Sequence, residues 1–186
     1  TALGDGGWIV TWLDDGQFYQ QRFASDGSMD GAATPITSGE EHFTNVVIEL
    51  DDGGWLSVSG TFFSTMDVYL TRYDSSGVQV GGVELVSDSG WSMFPYATAL
   101  PDGGWIVTWT QDLEDIWQIR YDADGNGSSA EKINTTAADS IGDSPVVTLA
   151  DGGWLVAWQA TDGDSEEIRF QRFMADGTRD GGETTV

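Results

Sequence analysis

Hydrophobic and polar positions alternate in short stretches along this chain, most clearly from Trp105 to Trp109. Alternation with a period of two is the pattern of a β-strand, and it places Trp105, Val107 and Trp109 on one face and Ile106 and Thr108 on the other. In the matching stretch from Trp154 to Trp158 the second face is Leu155 and Ala157. Both faces are largely apolar, so these strands are expected in sheets covered on both sides rather than in a sheet with one wet face. Asp-Gly-Gly introduces each such stretch. Copies of the whole pattern stand at Asp5 to Trp12, Asp52 to Ser59, Asp102 to Trp109 and Asp151 to Trp158, and a period of about 50 residues marks solenoids, propellers or arrays.

Each repeat divides into four strand-like pieces, a to d. In the third they are Tyr96 to Leu100, Trp105 to Trp109, Ile116 to Tyr121 and Ala130 to Thr135, with Pro101-Asp102-Gly103-Gly104 as the tight a-to-b turn and Asp122 to Gly127 as the c-to-d turn. The first gives Thr1 to Leu3, Trp8 to Trp12, Phe18 to Phe23 and Ala32 to Thr37; the second gives Val46 to Leu50, Trp55 to Ser59, Val68 to Tyr73 and Val83 to Ser87; the fourth gives Pro145 to Leu149, Trp154 to Trp158, Ile168 to Phe173 and Gly182 to Val186. The expectation is an all-β chain, a β-propeller of four-stranded antiparallel blades at about 1–37, 46–87, 96–135 and 145–186, forming one repeat domain over 1–186. A β-solenoid fits less well, because its coils repeat at shorter intervals. Four blades would close alone, make half of an eight-bladed ring by dimerising, or form a segment of a larger ring; self-closure is favoured, since an open ring exposes two apolar blade faces.

Composition agrees with many short strands: 25 glycines, 4 prolines and 12% aromatics in 186 residues. Seven basic against 31 acidic residues give a net charge of −24, which argues against nucleic acid and anionic membranes as partners. A single lysine, Lys132, in so acidic a chain fits a saline or calcium-rich extracellular medium. Cysteine is absent, so there are no disulfides or thiolate metal sites. No apolar run approaches the length that spans a bilayer, so membrane insertion is not expected. The chain opens at Thr1 inside a repeat and reads as a piece of a longer protein.

Strand c ends in arginine and an aromatic four times: Arg22-Phe23, Arg72-Tyr73, Arg120-Tyr121 and Arg172-Phe173. Repetition in every unit favours scaffolding, each arginine forking onto a turn carboxylate or carbonyl, over a ring that binds a carboxylated ligand. Trp8, Trp55, Trp105 and Trp154, with Trp12, Trp109 and Trp158, are expected to fill the contacts between blades. Ser59 stands where the other units have their second tryptophan, and Phe62 or Phe63 is expected to refill the space. His42 and Phe43, in the segment Glu40 to Phe43, and Trp91 and Phe94, in the segment Trp91 to Phe94, fall between d and the next a. Loops of that kind are where a propeller builds a ligand site, or plugs its channel. Asp122, Asp124 and Asn126 place oxygen ligands at alternate positions as the start of an EF-hand loop does, so Ca2+ is the one cofactor considered, although Ile133 stands where the twelfth-position glutamate belongs. One histidine and no cysteine leave little for nucleophilic or zinc chemistry, and the chain is expected not to be an enzyme.

Asp-Gly-Gly-Trp-(Ile/Leu)-Val-(Thr/Ala)-Trp, followed by Gln21-Arg22-Phe23 or Gln171-Arg172-Phe173 and by Ala175-Asp176-Gly177, resembles the repeats of large secreted bacterial adhesin-like proteins that carry hemolysin-type calcium-binding (RTX-like) repeats elsewhere. The resemblance implies export from the cell, tandem arrangement and roles at surfaces. The turn is also similar to the Asp-box of sialidase propellers, but their arginine triad has no counterpart here. The expectation is therefore a non-catalytic extracellular structural or adhesive module that assembles with neighbouring repeats or copies of itself. The alternative is a carbohydrate-binding, lectin-like propeller that takes glycans between its blades.

Overall fold

The computed structural model describes residues 1–36, 42–61, 66–87 and 90–186. Among these residues every regular element is a β-strand, and no helix long and apolar enough to cross a membrane occurs. Four antiparallel sheets follow one another along the chain. The first holds β1 (Trp8–Asp14), β2 (Gln17–Phe23) and β3 (Met29–Pro35), in that order. The second runs β4 (His42–Glu49), β5 (Trp55–Thr61), β6 (Val68–Tyr73) and β7 (Gln79–Ser87), and the third β8 (Ser92–Ala99), β9 (Trp105–Gln111), β10 (Asp115–Tyr121) and β11 (Glu131–Lys132). The fourth is five-stranded: β12 (Ser140–Ile141) and β13 (Val146–Thr148) both pair with β14 (Trp154–Asp162), which pairs with β15 (Ser165–Phe173), and β15 pairs with β16 (Thr184–Thr185).

The all-β expectation with antiparallel pieces a to d in each repeat holds, and the differences have local causes. Strand a of the first sheet shrinks to a bridge between Ala2 and Trp8. The same piece of the fourth sheet is broken between β12 and β13, where Pro145 lacks the N–H a continuous ladder needs and Gly142 weakens it. Strands a of the second and third sheets start earlier than expected, at His42 and Ser92. Strand d also moves. In the first repeat it is Met29–Pro35 rather than Ala32 to Thr37, and in the third only Glu131–Lys132 remains ordered as a strand.

The chain divides into two compact units, Thr1–Asp88 and Ser89–Val186, each of two sheets. Within the first unit Leu3 and Ile9 pack with Trp55, Tyr73 and Val47 across the two sheets. Within the second, Leu100, Ile106, Ile116 and Ile133 pack with Trp154, Val156, Trp158 and Phe173. Apolar residues on both faces of the b strands feed these cores: all seven residues of β5 are buried. Trp12 departs from the expected core role and is 37% exposed.

Candidate interblade clefts

The repeated turn sets the frame. Asp5, Asp52, Asp102 and Asp151 each accept the N–H of the second glycine through Oδ1, at 2.8 to 3.1 Å. The first glycine takes positive φ, as at Gly103 (84°). The second lies against strand c, so that a Cβ on Gly104 would overlap the carbonyl oxygen of Tyr121. The aspartate's Oδ2 holds the arginine of strand c: Arg22 on Asp5, Arg72 on Asp52 at 2.8 Å, Arg120 on Asp102 and Arg172 on Asp151. The tryptophan stacks on the aromatic after that arginine, in the pairs Trp8–Phe23, Trp55–Tyr73, Trp105–Tyr121 and Trp154–Phe173, with centroids 5.2 to 5.6 Å apart. Burial of Tyr73 pushes its hydroxyl up to about 12.

On this frame each unit builds a cleft between its two sheets, from equivalent positions. Two residues before the arginine, strand c carries Gln20 in the first sheet and Gln118 in the third, but Leu70 and Phe170 in the second and fourth. Both glutamines are buried, and each accepts the indole N–H of the next sheet's tryptophan at 2.9 Å: Trp55 to Gln20 and Trp154 to Gln118. The amide then faces strand d, where Gln118 donates to Glu131 at 3.2 Å and Gln20 lies 3.5 Å from the Thr34 hydroxyl. The c-to-d turn of the next sheet closes the far side, with Gly77 in one unit and Asp176-Gly177 in the other.

The two clefts differ in size and chemistry. That of the first unit, about 190 Å³, is narrowed by Asp30, which takes a second hand of Arg22. That of the second, about 660 Å³, has Ser128 and Ser129 instead and is flanked by the half-buried Trp117 and by Lys132. Two donors bordering it, Trp117 Nε1 and Arg120 Nε, are buried without an acceptor among the described residues, a condition that marks a ligand or water position or a strained one. Two carboxylates line the wide cleft. Glu131 is held by Gln118 and by Arg179, at 3.1 Å. Hydrogen bonds from the Thr178 hydroxyl and N–H, with Arg120 nearby, keep the Asp176 carboxyl below the usual range.

The aromatics expected to make a loop site are placed differently. His42 and Phe43 begin β4, and Phe94 lies inside β8 at a bulge before Pro95, with φ 53°. His42 and Phe43 fall in the first unit and Trp91 and Phe94 in the second. His42 is buried with its ring edge-on to Tyr69 at 5.7 Å, whereas Phe43 and Trp91 are more than half exposed. Glu40, Glu41, Phe62 and Phe63 lie outside the described residues. In the calcium candidate, Asp122 accepts from the Asn126 N–H at 2.8 Å and from its side-chain amide, and these bonds lower its carboxyl. Among the described residues no group of three or more His, Asp or Glu is gathered to hold a metal ion. Sequence reasoning did not single out Gln20, Gln118, Trp117 or Glu131, and it took Asp176 only as the start of a weaker calcium candidate, Asp176 to Asp180. The signal available was the glutamine alternating with Leu70 and Phe170 at one position of strand c.

No family model and no curated protein matches the chain. In fold it is similar to a PL25 ulvan lyase solved with a glucuronate–sulfated rhamnose fragment, at TM-score 0.64 and 11% identity over 100% of this chain and 56% of the lyase. It is also similar to an endo-1,4-β-xylanase of Bacteroides thetaiotaomicron, at TM-score 0.54 and 12% identity over 98% of this chain and 78% of the xylanase. A third likeness is to a putative exo-β-1,3-galactanase of Bifidobacterium bifidum, at 0.52 and 15% over 97% and 66%. The chain thus spans about half the length of the lyase, and at these identities the likeness is one of fold. These likenesses correct the expectation of a non-catalytic structural or adhesive module, because the three proteins of like fold are polysaccharide-degrading enzymes. The expectation rested on the resemblance and the acidic charge, and on the missing cysteine and second histidine. Carbohydrate cleavage by paired carboxylates needs neither.

Proposed function

We propose that this chain is a carbohydrate-active module of the propeller type, and that the wide cleft of its second unit takes a glycan chain. The observation that carries the reading is the cleft itself, where an indole, a carboxamide, a guanidinium and two carboxylates converge on a site built from the same positions as its narrower counterpart. Sugars present an apolar face that suits an indole and vicinal hydroxyls that suit planar donor and acceptor groups. The company of polysaccharide-degrading folds supports the same class. Glycoside cleavage requires two carboxylates flanking the bond, and Glu131 and Asp176 are the two that line this cleft. Asp176, held ionised by Thr178, suits the nucleophile and leaves Glu131 as its partner.

The test is a panel of polysaccharides read for binding by affinity electrophoresis and for cleavage by release of reducing ends. Trp117→Ala is expected to weaken binding about ten-fold, or 1.4 kcal/mol, without moving the melting temperature. Asp176→Asn keeps the turn-capping oxygen and removes the charge, so it is expected to retain binding and lose cleavage. Silence of the native chain across the whole binding panel would sink the reading. Export from the cell, closure of four blades into a ring, association with neighbouring repeats and Ca2+ at Asp122, Asp124 and Asn126 belong to the same proposal. A rise in melting temperature with Ca2+ that Asp122→Ala removes is the measurement for the last.

A further inference from the structure

We infer that the wide cleft of the second unit selects neutral, hydroxyl-rich glycans and excludes uronate-bearing or sulfated ones; this rests on the reading of that cleft as a glycan site. All seven cationic side chains of the protein lie among the described residues, and each already holds a carboxylate. At the cleft, Arg120 is held by Asp102, Lys132 by Asp115 at 2.5 Å, and Arg179 by Glu131 at 3.1 Å. Of the charged residues that line the cleft, Arg120 and Lys132 balance Glu131 and Asp176, and both cations are tied to further aspartates, so no positive charge is left over. A ligand carboxylate or sulfate would meet no cation whose charge is not already balanced by a carboxylate. It would also have to approach a chain of net charge −24. A neutral sugar meets neither obstacle. Its hydroxyls can accept from Arg120, which lacks the second carboxylate that Asp30 gives Arg22, and can donate to Glu131 and Asp176.

The experiment uses the whole chain in affinity electrophoresis against β-1,4-xylan and β-1,3-galactan as neutral probes, and against polygalacturonate and a sulfated galactan as anionic ones, at low and high salt. Binding to a neutral probe at least about ten-fold tighter than to either anionic one, and insensitive to salt, is the expected result. The double variant Glu131→Gln with Asp176→Asn leaves Arg179 without its carboxylate and makes the lining net positive. It is expected to gain salt-sensitive binding to polygalacturonate. Native binding to an anionic probe equal to or tighter than to the neutral ones, strongest at low salt, would overturn the inference and leave the glycan reading standing. No gain by the double variant, shown folded by an unchanged circular dichroism spectrum, would also overturn it. Binding to none of the probes would instead fail the glycan reading.

Discussion

Every residue of Asp-Gly-Gly-Trp has a separate physical task, and the tasks predict unequal costs. A Cβ at Gly104 meets a main-chain carbonyl that cannot move without opening the hairpin, whereas one at Gly82 meets nothing within 4 Å. Gly104→Ala is therefore expected to cost about 3 kcal/mol and Gly82→Ala less than about 0.5 kcal/mol, read as chemical denaturation midpoints. Equal costs would show that the turn tolerates the shift. The arginine is worth less than burial would have made it. On the sequence alone its loss is put at about 2 to 4 kcal/mol if the site is buried, but Asp102 is 52% exposed and Arg120 31%. Solvent screens such a pair, so Arg120→Met is expected to cost about 1 kcal/mol, roughly 3 °C in melting temperature at this size. A loss several times larger would place the pair in a drier setting than its exposure describes.

At the scale of the element, the c-to-d turns repeat a device of their own. Asp26, Asp74, Asp122 and Asp176 each accept side-chain and backbone hydrogen bonds within the turn, from Ser28, Ser76, Asn126 and Thr178, and all four carboxyls lie below their ordinary value of 3.8. A carboxyl lowered in the folded state stabilises it fully above its unfolded value, and the contribution is lost as pH falls through the lowered one. Melting temperature is therefore expected to hold from neutrality down to about pH 5 and to fall below pH 3.8. Asp74→Ala and Asp122→Ala should flatten that fall, and an unchanged acid limb in both would sink the assignment. Glu183 behaves alike: burial acts to raise it, but bonds from Thr135 and Thr136 outweigh that and leave it lowered.

For the whole molecule the decisive quantity is the excess of acid. Among the described residues eleven carboxylates pair with the seven cations, and a chain of net charge −24 still repels itself across the surface. Screening shortens that repulsion to about 8 Å at physiological ionic strength. The melting temperature is accordingly expected to rise with added sodium chloride at neutral pH and then to level off. A fall would mean that the arginine–aspartate pairs, which salt also weakens, outweigh the repulsion. The same excess of charge underlies the expected exclusion of anionic glycans.

The strands b and c, their turns and the arginine–aromatic step were legible because they are local: period two, paired glycines and a fixed spacing constrain a few neighbouring residues whatever lies beyond. The ends of strands a and d were not, because pairing decides them. Strand d of the third repeat reads like the others but is ordered only at Glu131–Lys132, opposite Gln118 and Trp117. The charge also read directly from the sequence. What only the tertiary structure decided was the cleft. Gln118 and Trp154 lie 36 residues apart, and Asp176 is farther still from both Glu131 and Trp117. No sequence period couples them; packing one sheet on the next brings them together, and a carboxylate becomes a candidate for chemistry only when its neighbours across that gap are known.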